Sequence, residues 1–149
     1  MKTSVGYRGA AMGTLAEQLN SATHGFDRLY GLRWLSCSET EVRAQVTVRD
    51  ELKQPAGLIH GGVYASMAES MASFGPALAV AEQNEVAMGL SNSTNFLRPI
   101  VEGTVHALAT RVHRGHTTWV WDVRFSDDAD RTCAVTRMTI AVRPRAGAG

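Results

Sequence analysis

The hydrophobic period changes twice along this chain. Residues 41 to 48 alternate polar and apolar side chains, which is the period of a half-buried β-strand. Residues 61 to about 83 are mostly apolar over a length that favours a long buried helix. Four further strand-like runs cover residues 86 to 96, 104 to 113, 117 to 126 and 132 to 142. Turn-forming Pro, Gly and Asp residues separate these runs, so they predict an antiparallel meander.

The pattern is weaker in the first part of the chain. Residues 1 to 12 show little periodicity, and we expect them to be frayed. Residues 13 to 20 and 24 to 30 each favour a short helix, with Thr23 as the N-cap of the second.

One strand, one long apolar helix and then four strands predict an α+β fold. In this arrangement a curved antiparallel sheet wraps around the long central helix. Gly75 and Pro76 interrupt the helical run and predict a kink or a break there. The length of 149 residues fits a single domain with a sizeable core over residues 1 to 149.

Composition excludes some classes of function and leaves others open. The formal net charge of +1 gives no reason to expect a nucleic acid or an anionic membrane as partner. No apolar run approaches the ~18 to 20 residues of a membrane span, and the N-terminus lacks the apolar core of a secretory signal. A cytoplasmic location is therefore the default expectation. Cys37, Cys133 and the five histidines form no ligand spacing, so we expect no metal site and no disulfide.

Residues 54 to 73 contain the most informative chemistry, a polar glycine-containing loop that leads into the apolar helix. A helix that begins near Gly61 leaves its first N–H groups unpaired and has partial positive charge there, which suits a developing oxyanion. Gly61 and Gly62 let a ligand approach this backbone closely. Glu69 interrupts the apolar surface further along, and Ser73 lies one turn later on the same face. The combination predicts an acyl-transfer site.

Helix geometry separates the two halves of this site. Glu69 follows His60 by nine residues, which is about 13 Å along a helix axis. A reacting carbonyl carbon needs the oxyanion donors and the nucleophile within about 3.5 Å. We therefore expect Glu69 to act with the helix N-terminus of a second subunit, across a two-fold interface. Residue types alone leave other interpretations open, because Glu69 could be a boundary residue that reaches solvent and His60 a structural histidine.

Three segments together resemble a known family. They are Gln54, Gly57 and His60-Gly61-Gly62 followed by Glu69; Asn95-Phe-Leu-Arg98-Pro99; and Gly115-His-Thr117-Thr118-Trp119. Over about residues 46 to 145 the chain resembles the hot-dog-fold acyl-CoA thioesterases. Within them it is most similar to the glutamate-using 4-hydroxybenzoyl-CoA thioesterases, close to the phenylacetate-degradation type. The resemblance implies the hot-dog fold, hydrolysis of an acyl-CoA thioester and a homotetramer built as a dimer of dimers. It implies no cofactor, since coenzyme A arrives as part of the substrate.

The resemblance also implies roles for individual residues. Glu69 would be the catalytic carboxylate, and the Gly61 N–H would polarise the thioester carbonyl. Gln54 and His60 would assist at the oxyanion or orient the thioester, and Ser73 would hold the water or the carboxylate. Glu69 and Ser73 would come from the subunit that partners the other three, which agrees with the distance argument. The coenzyme A phosphates would meet Arg98, Thr117, Thr118, Arg143 and Arg145.

Two positions depart from the family pattern. His116 occupies a turn site where a small or basic residue is common. Asp130 stands where a hairpin glycine is common, although Asp tolerates positive φ better than most residues.

The chemical step and the acyl group stay open at this stage. Glu69 could attack the carbonyl to form a mixed anhydride or could deprotonate a water. The resemblance favours an aromatic acyl group, hydroxybenzoyl or phenylacetyl, followed by a naphthoyl or medium-chain group. The rivals are a non-catalytic acyl-CoA sensor, which could dispense with Glu69, and a hot-dog enoyl-CoA hydratase, whose Asp/His pair we do not find.

Overall fold

The computed structural model describes residues 13 to 146. The expectation for residues 1 to 12 lies outside this part of the chain. Helices α1 to α3 span Leu15–Ala22, Gly25–Tyr30 and Gly61–Val80. Strands β1 to β6 span Arg33–Cys37, Glu41–Thr47, Glu85–Phe96, Thr104–Arg114, Thr118–Ser126 and Thr132–Pro144. Short 3-10 turns cover Asp50–Leu52 and Ala81–Gln83.

The six strands form one antiparallel sheet in the order β1-β2-β4-β5-β6-β3, and α3 packs against β2 through β6. Alternation along the strands separates the two faces of the sheet. In β2, for example, Val42, Ala44 and Val46 are buried beneath the helix layer, and the residues between them are exposed or half-buried. A long helix against an antiparallel sheet confirms the α+β prediction and is the hot-dog arrangement.

The strand order corrects the predicted meander. Of the four strands predicted to form it, β4, β5 and β6 are neighbours in chain order, but β3 pairs with β6 rather than with β4. The edge of β4 that β3 would have used is taken by β2, which pairs along it from Glu41 to Thr47. One consequence is that β3, twelve residues long, is an edge strand of the sheet.

Strand β1 was not predicted. It spans only Arg33–Cys37, and its pairing with β2 shifts register between Trp34 and Ser36. A bulge of this kind disturbs the two-residue alternation by which a strand is recognised in a sequence.

Of the two alternatives predicted at Gly75 and Pro76, a kink or a break, the break is wrong, because α3 continues through both residues to Val80. Both residues are buried there. The indole ring of Trp121 lies so close to the Gly75 backbone that any Cβ at this position would overlap it. Gly75 therefore permits close packing between the helix and β5 rather than ending the helix.

The predicted N-cap at Thr23 is also wrong. The Thr23 hydroxyl donates back to the carbonyl of Leu19, 2.7 Å away, so it closes α1 instead of opening α2. The first helix has a capping box that the sequence analysis missed, in which Thr14 Oγ1 accepts from Glu17 N–H and the Glu17 carboxylate accepts from Thr14 N–H.

The hairpin between β5 and β6 has Asp130 at φ +57°, in the left-handed region. This fits the expectation that Asp replaces a glycine there. The Arg124 guanidinium donates to its carboxylate at 2.9 Å and lowers the pKa of Asp130. Among the helices of residues 13 to 146, none is long and apolar enough to span a membrane.

Candidate active site

The loop before α3 folds into a small hairpin. Gly57 N–H donates to Gln54 O and Gln54 N–H to Leu58 O, both at 2.9 Å, with Pro55 at the second turn position. Gly57 has φ +84°, a conformation that favours glycine. Ile59 N–H then donates to Ile100 O at 2.8 Å, which anchors the end of the loop to the segment after β3. The loop thus delivers the chain to the start of α3 in a fixed direction.

The N-terminus of α3 is capped by its own histidine. Nδ1 of His60 accepts the Gly62 N–H at 2.9 Å. Because Nδ1 accepts, a neutral ring has its proton on Nε2, which leaves Nε2–H free to donate. Gly61 N–H, by contrast, donates to no group among residues 13 to 146. The helix therefore presents one unpaired donor at its positive end, which is the requirement for an oxyanion site.

Packing against Phe96 requires a small residue at position 61. The Phe96 ring lies over its backbone, and a Cβ on Gly61 would come within 2.7 Å of Phe96 Cζ. Phe96 also contacts Tyr64, with ring centroids 6.0 Å apart.

A cavity of about 640 Å³ opens beside this helix N-terminus, and we call it the loop cavity. Its walls include Gln54, His60, Gly61 and the segment from Phe96 to Pro99. The structure therefore brings together four of the residues implied by the resemblance, because Arg98 lies in the same wall as the other three. Arg98 is exposed and makes no ion pair with another described residue.

Glu69 lies elsewhere on α3. Its side chain is exposed, and its Oε1 lies against the Gly89 backbone on β3. Within the described residues the carboxylate has no hydrogen-bond donor and no cationic partner. Ser73, one turn further on, is half-buried. Neither residue lines the loop cavity, so one chain does not bring the carboxylate to the unpaired Gly61 N–H.

The other implied phosphate ligands lie at the far end of β3. Arg143, opposite Val86 in the sheet, donates from Nη1 to the carbonyl of Thr117 at 2.6 Å. Arg145 N–H donates to Asn84 O at 2.9 Å, and Thr118 begins β5 nearby. Val86 and Phe96 are separated by ten residues of strand, about 30 Å. Arg143 and Arg145 are therefore remote from the Arg98 of the same chain.

Two cationic side chains near that end were missed by the sequence analysis. The guanidinium groups of Arg111 and Arg114 lie 5.5 Å and 4.7 Å from the ring centre of Trp119. Their positions depend on pairing between β4 and β5, so their spacing in the sequence gave no signal.

A second cavity, of about 600 Å³, lies on the other side of the His60–Gly62 segment. We call it the α2 cavity, because Phe26, Leu29 and Tyr30 from α2 form one wall. Asp27 fastens this helix to α3, since its Oδ1 accepts from the Tyr30 hydroxyl at 2.8 Å and from Ser70 Oγ at 2.6 Å. Burial is the main cause that raises the pKa of Tyr30, so its hydroxyl remains a donor at neutral pH.

A helix N-terminus with an unpaired donor, packed against a hot-dog sheet, is the arrangement that the resemblance to the thioesterases implies. The sequence matches the thioesterase superfamily over residues 56–134. The chain belongs to that superfamily, and it is an enzyme, a thioesterase-type hydrolase.

Individual relatives agree with this assignment. A Pseudomonas aeruginosa esterase is 37% identical over 132 residues, which cover 88% of this chain and 91% of the relative. The crystal structure of a mutant form of it, called a thioesterase, superposes with a TM-score of 0.82 at 33% identity, over 90% of this chain and 97% of that chain. A 1,4-dihydroxy-2-naphthoyl-CoA hydrolase from Listeria monocytogenes is 32% identical over 121 residues, 81% of this chain and 98% of the relative.

Two structures of a Staphylococcus aureus thioesterase are also similar, each at 28% identity. One carries a Glu-to-Ala change and superposes with a TM-score of 0.77 over 80% of this chain and 99% of that chain. The other carries a Gln-to-Ala change, with a TM-score of 0.76 over 79% and 98%. The two mutated positions are fifteen residues apart in that protein.

Proposed function

We propose that this enzyme hydrolyses an acyl-CoA thioester, with Glu69 as the reacting carboxylate and Gly61 N–H as the donor to the thioester oxygen. The proposal depends on the observation that α3 holds the oxyanion donor and the carboxylate at two separate positions. Within residues 13 to 146, Gly61 presents an N–H without a partner, and Glu69, eight residues further along the same helix, presents a carboxylate without a partner. That separation is about 12 Å along the helix axis.

A second copy of the chain completes the site in this proposal. In the described part of one chain, edge strand β3 has no neighbour on its outer side, and exposed edges of this kind pair readily with another strand. Antiparallel pairing of β3 with its copy across a two-fold axis would place opposite ends of the strand together. Gly89 marks the position of Glu69, and Phe96 marks that of Gly61. The two halves meet if the axis passes near Asn92 and Ser93.

The same axis would gather the cationic side chains. Arg98 follows the end of β3, and Arg143 lies opposite Val86 near its beginning. Pairing around Asn92 and Ser93 brings Arg98 of one subunit toward Arg143 and Arg145 of the other. Together with Thr117 and Thr118 these cations would bind the phosphates of coenzyme A. We propose a dimer as the smallest active unit and a dimer of dimers as the assembly.

In the chemical step, the thioester carbonyl oxygen accepts from Gly61 N–H while an oxygen nucleophile attacks the carbonyl carbon. If Glu69 attacks, the carbon–sulfur bond breaks, coenzyme A leaves as thiolate and takes up a proton, and water then hydrolyses the mixed anhydride. If Glu69 acts as a base, it takes a proton from water as the hydroxide attacks the carbonyl carbon; the carbon–sulfur bond then breaks, and coenzyme A leaves as thiolate and takes up that proton. Single turnover in ¹⁸O-water identifies the anhydride route when water attacks the glutamyl carbon of the anhydride, because the first acid molecule released then contains an oxygen of Glu69.

His60, Gln54 and Ser73 have supporting roles in this mechanism. His60 and Gln54 both line the loop cavity, and in the neutral ring the Nε2–H of His60 has no acceptor within residues 13 to 146, so both side chains can donate to the thioester or its oxyanion. Ser73 lies one helical turn beyond Glu69 and would orient the attacking water or the carboxylate. We propose that no metal or other cofactor takes part.

The spacing of the mutated residues in the Staphylococcus aureus thioesterase supports this choice of residues. Gln54 is the only glutamine in this chain followed by a glutamate fifteen residues later, and that glutamate is Glu69.

For the acyl group we propose an aromatic one, of hydroxybenzoyl, phenylacetyl or naphthoyl type. The Listeria monocytogenes relative, which acts on a naphthoyl-CoA, supports this class. Medium-chain acyl-CoAs are the alternative.

The test is thiol release from a panel of aromatic and aliphatic acyl-CoAs, with Glu69→Ala as the matched variant. We expect rapid turnover of the aromatic members and loss of that turnover in the variant. Tight acyl-CoA binding without turnover would instead indicate a sensor.

A further inference from the structure

We infer that β3 positions the Glu69 carboxylate by means of a β-bulge at Leu90, which turns Gly89 and Asn92 toward the same turn of α3. This inference rests on the proposed function, in which Glu69 reacts. Gly89 and Asn92 are positioning residues in it, because they act on the substrate only through Glu69.

The bulge changes which residues of β3 face the helix. Gly89 pairs with Ile140 and Ser91 with Thr139, so Leu90 is an extra residue without its own partner on β6. In a regular strand, residues three apart point to opposite faces. The extra residue removes that restriction, so Gly89 and Asn92 can face α3 together.

Contacts on both sides of the bulge agree with this shift. Before it, Ala87 packs against the core and Gly89 lies against Glu69. After it, the even-numbered residues face inward: Thr94 meets the buried Thr136 hydroxyl at 2.8 Å, and Phe96 covers Gly61.

Gly89 provides the space for the carboxylate. A Cβ on Gly89 would overlap Oε1 of Glu69 and would lie 3.1 Å from its carboxyl carbon. Gly89 is not among the glycines with positive φ, so its backbone accepts an alanine and only the contact with Glu69 requires the glycine. The displaced group would be the end of a flexible side chain, so an added methyl should move the carboxylate and leave the fold intact.

Asn92 fixes the helical turn from which Glu69 projects. Its Nδ2 donates to the Ala65 carbonyl at 2.9 Å, the same carbonyl that accepts Glu69 N–H within the helix. Its Oδ1 accepts from Thr94 Oγ1 at 2.8 Å, and that hydroxyl contacts Thr136. A chain of hydrogen bonds therefore ties this turn of α3 to β3 and β6.

The first experiment is a double-mutant cycle between Gly89→Ala and Glu69→Asp, with kcat and KM measured on the best acyl-CoA. We expect Gly89→Ala to lower kcat about 10- to 100-fold and to change KM less than about twofold, because it displaces the carboxylate by about 1 Å. In the Glu69→Asp background the carboxylate is one methylene shorter, so the same alanine should cost less than about twofold in kcat.

Equal losses of kcat in both backgrounds, or no loss in the wild-type background, would show that Gly89 does not act through Glu69. Turnover that survives removal of the Glu69 carboxylate would refute the proposed function itself, which is a different result. The thermal midpoint and the oligomer mass of each variant are measured alongside, so that loss of folding is recognised.

Asn92→Asp tests the second contact without depending on Gly89. The change keeps the shape, removes the Nδ2 donor and turns an oxygen toward the Ala65 carbonyl. We expect kcat to fall about tenfold. The matched control is Asn95→Asp on the same strand, whose side chain faces the opposite side of the sheet and should leave kcat unchanged. A normal kcat in Asn92→Asp, or an equal loss in both variants, would overturn the role of Asn92.

Discussion

Charged side chains have different surroundings on the outer face of the sheet, the face away from α3, and at the edge formed by α3 and β3. On the outer face, carboxylates have partners: Arg137 pairs with Asp122 at 2.7 Å, Arg124 pairs with Asp130 at 2.9 Å, and His106 Nε2 is hydrogen-bonded to Asp128 Oδ1 at 2.7 Å. At the edge, the carboxylate of Glu69 and the guanidinium of Arg98 have no charged partner within the described residues.

Within the described residues, one chain provides partners for the charged groups of the outer face and provides none for Glu69 and Arg98 at the edge. Exposed ion pairs contribute little to the free energy of unfolding, so the pairs of the outer face explain little of the stability. Arg98 lines the loop cavity beside the Gly61 N–H, and Glu69 lies against Gly89 on β3, an edge strand of the sheet formed by residues 13 to 146. Such groups are available to a substrate and to a second subunit.

The largest expected effect is that of Glu69→Gln. Removing the charge of the carboxylate while keeping its shape should lower kcat by about a thousandfold or more and leave the thermal midpoint unchanged. Glu102→Gln, an exposed glutamate that lines neither the loop cavity nor the α2 cavity, is the control and should keep full activity. Steady-state kinetics and thermal unfolding measure both effects. Near-normal turnover of Glu69→Gln would mean that the unpaired carboxylate is an ordinary surface charge.

Mixing two inactive variants tests whether the site at the edge formed by α3 and β3 is completed by a second copy. Gly61→Pro removes the N–H donor at a helix position that tolerates proline, and Glu69→Ala removes the carboxylate. Random co-refolding should make half of the dimers mixed, each with one intact site out of two, so activity should return to about a quarter of wild type.

Gly61→Ala is the control for that experiment. It makes the same contact with Phe96 as proline does but keeps the N–H, so it separates loss of the donor from displacement of the ring. Mixtures that stay as inactive as either parent, although mass measurements show mixed dimers, would place the complete site within one chain.

Arg98→Ala should have a smaller effect, confined to binding. If Arg98 meets a phosphate of coenzyme A, its loss should raise KM about 5- to 20-fold with little change in kcat, and the difference should shrink as salt concentration rises. Arg137→Ala, which removes an arginine already paired with Asp122, should leave KM unchanged. Equal effects of the two variants on KM would show that an unpaired arginine contributes no more to substrate binding than a paired one.

The sequence predicted the parts of this structure that depend on local patterns. Helix α3 begins at Gly61 as expected, and the strands of residues 86 to 142 agree with the structure to within about two residues, because their apolar periodicity is regular. Strand β1 was missed because a bulge interrupts its short alternation. The position of β3 at the sheet edge could not be predicted from its own residues, since it depends on which strand pairs with the other edge of β4.

The candidate site likewise has features that the sequence predicted and features that it did not. Gly61 and Glu69 could be singled out because a glycine-containing helix start and a lone carboxylate in an apolar helix are visible in sequence. The free Gly61 N–H depends on His60 accepting from Gly62, and the space beside Glu69 depends on the bulge at Leu90. Both are results of three-dimensional packing and had no sequence signal.

The smallest expected effect belongs to the outer face and appears only in acid. Hydrogen bonds, first from His106 and then from Thr104 N–H, lower the pKa of Asp128 below its ordinary value of 3.8. A carboxylate whose folded pKa is lowered stabilises the fold above its unfolded pKa and loses that contribution as pH falls through the folded pKa. Asp128→Asn should therefore show a smaller fall in thermal midpoint than wild type between about pH 5 and pH 2, with normal kcat at pH 7. A steeper fall in the thermal midpoint would contradict this stabilising role of Asp128. A loss of kcat would show that the outer face contributes to activity together with the edge formed by α3 and β3.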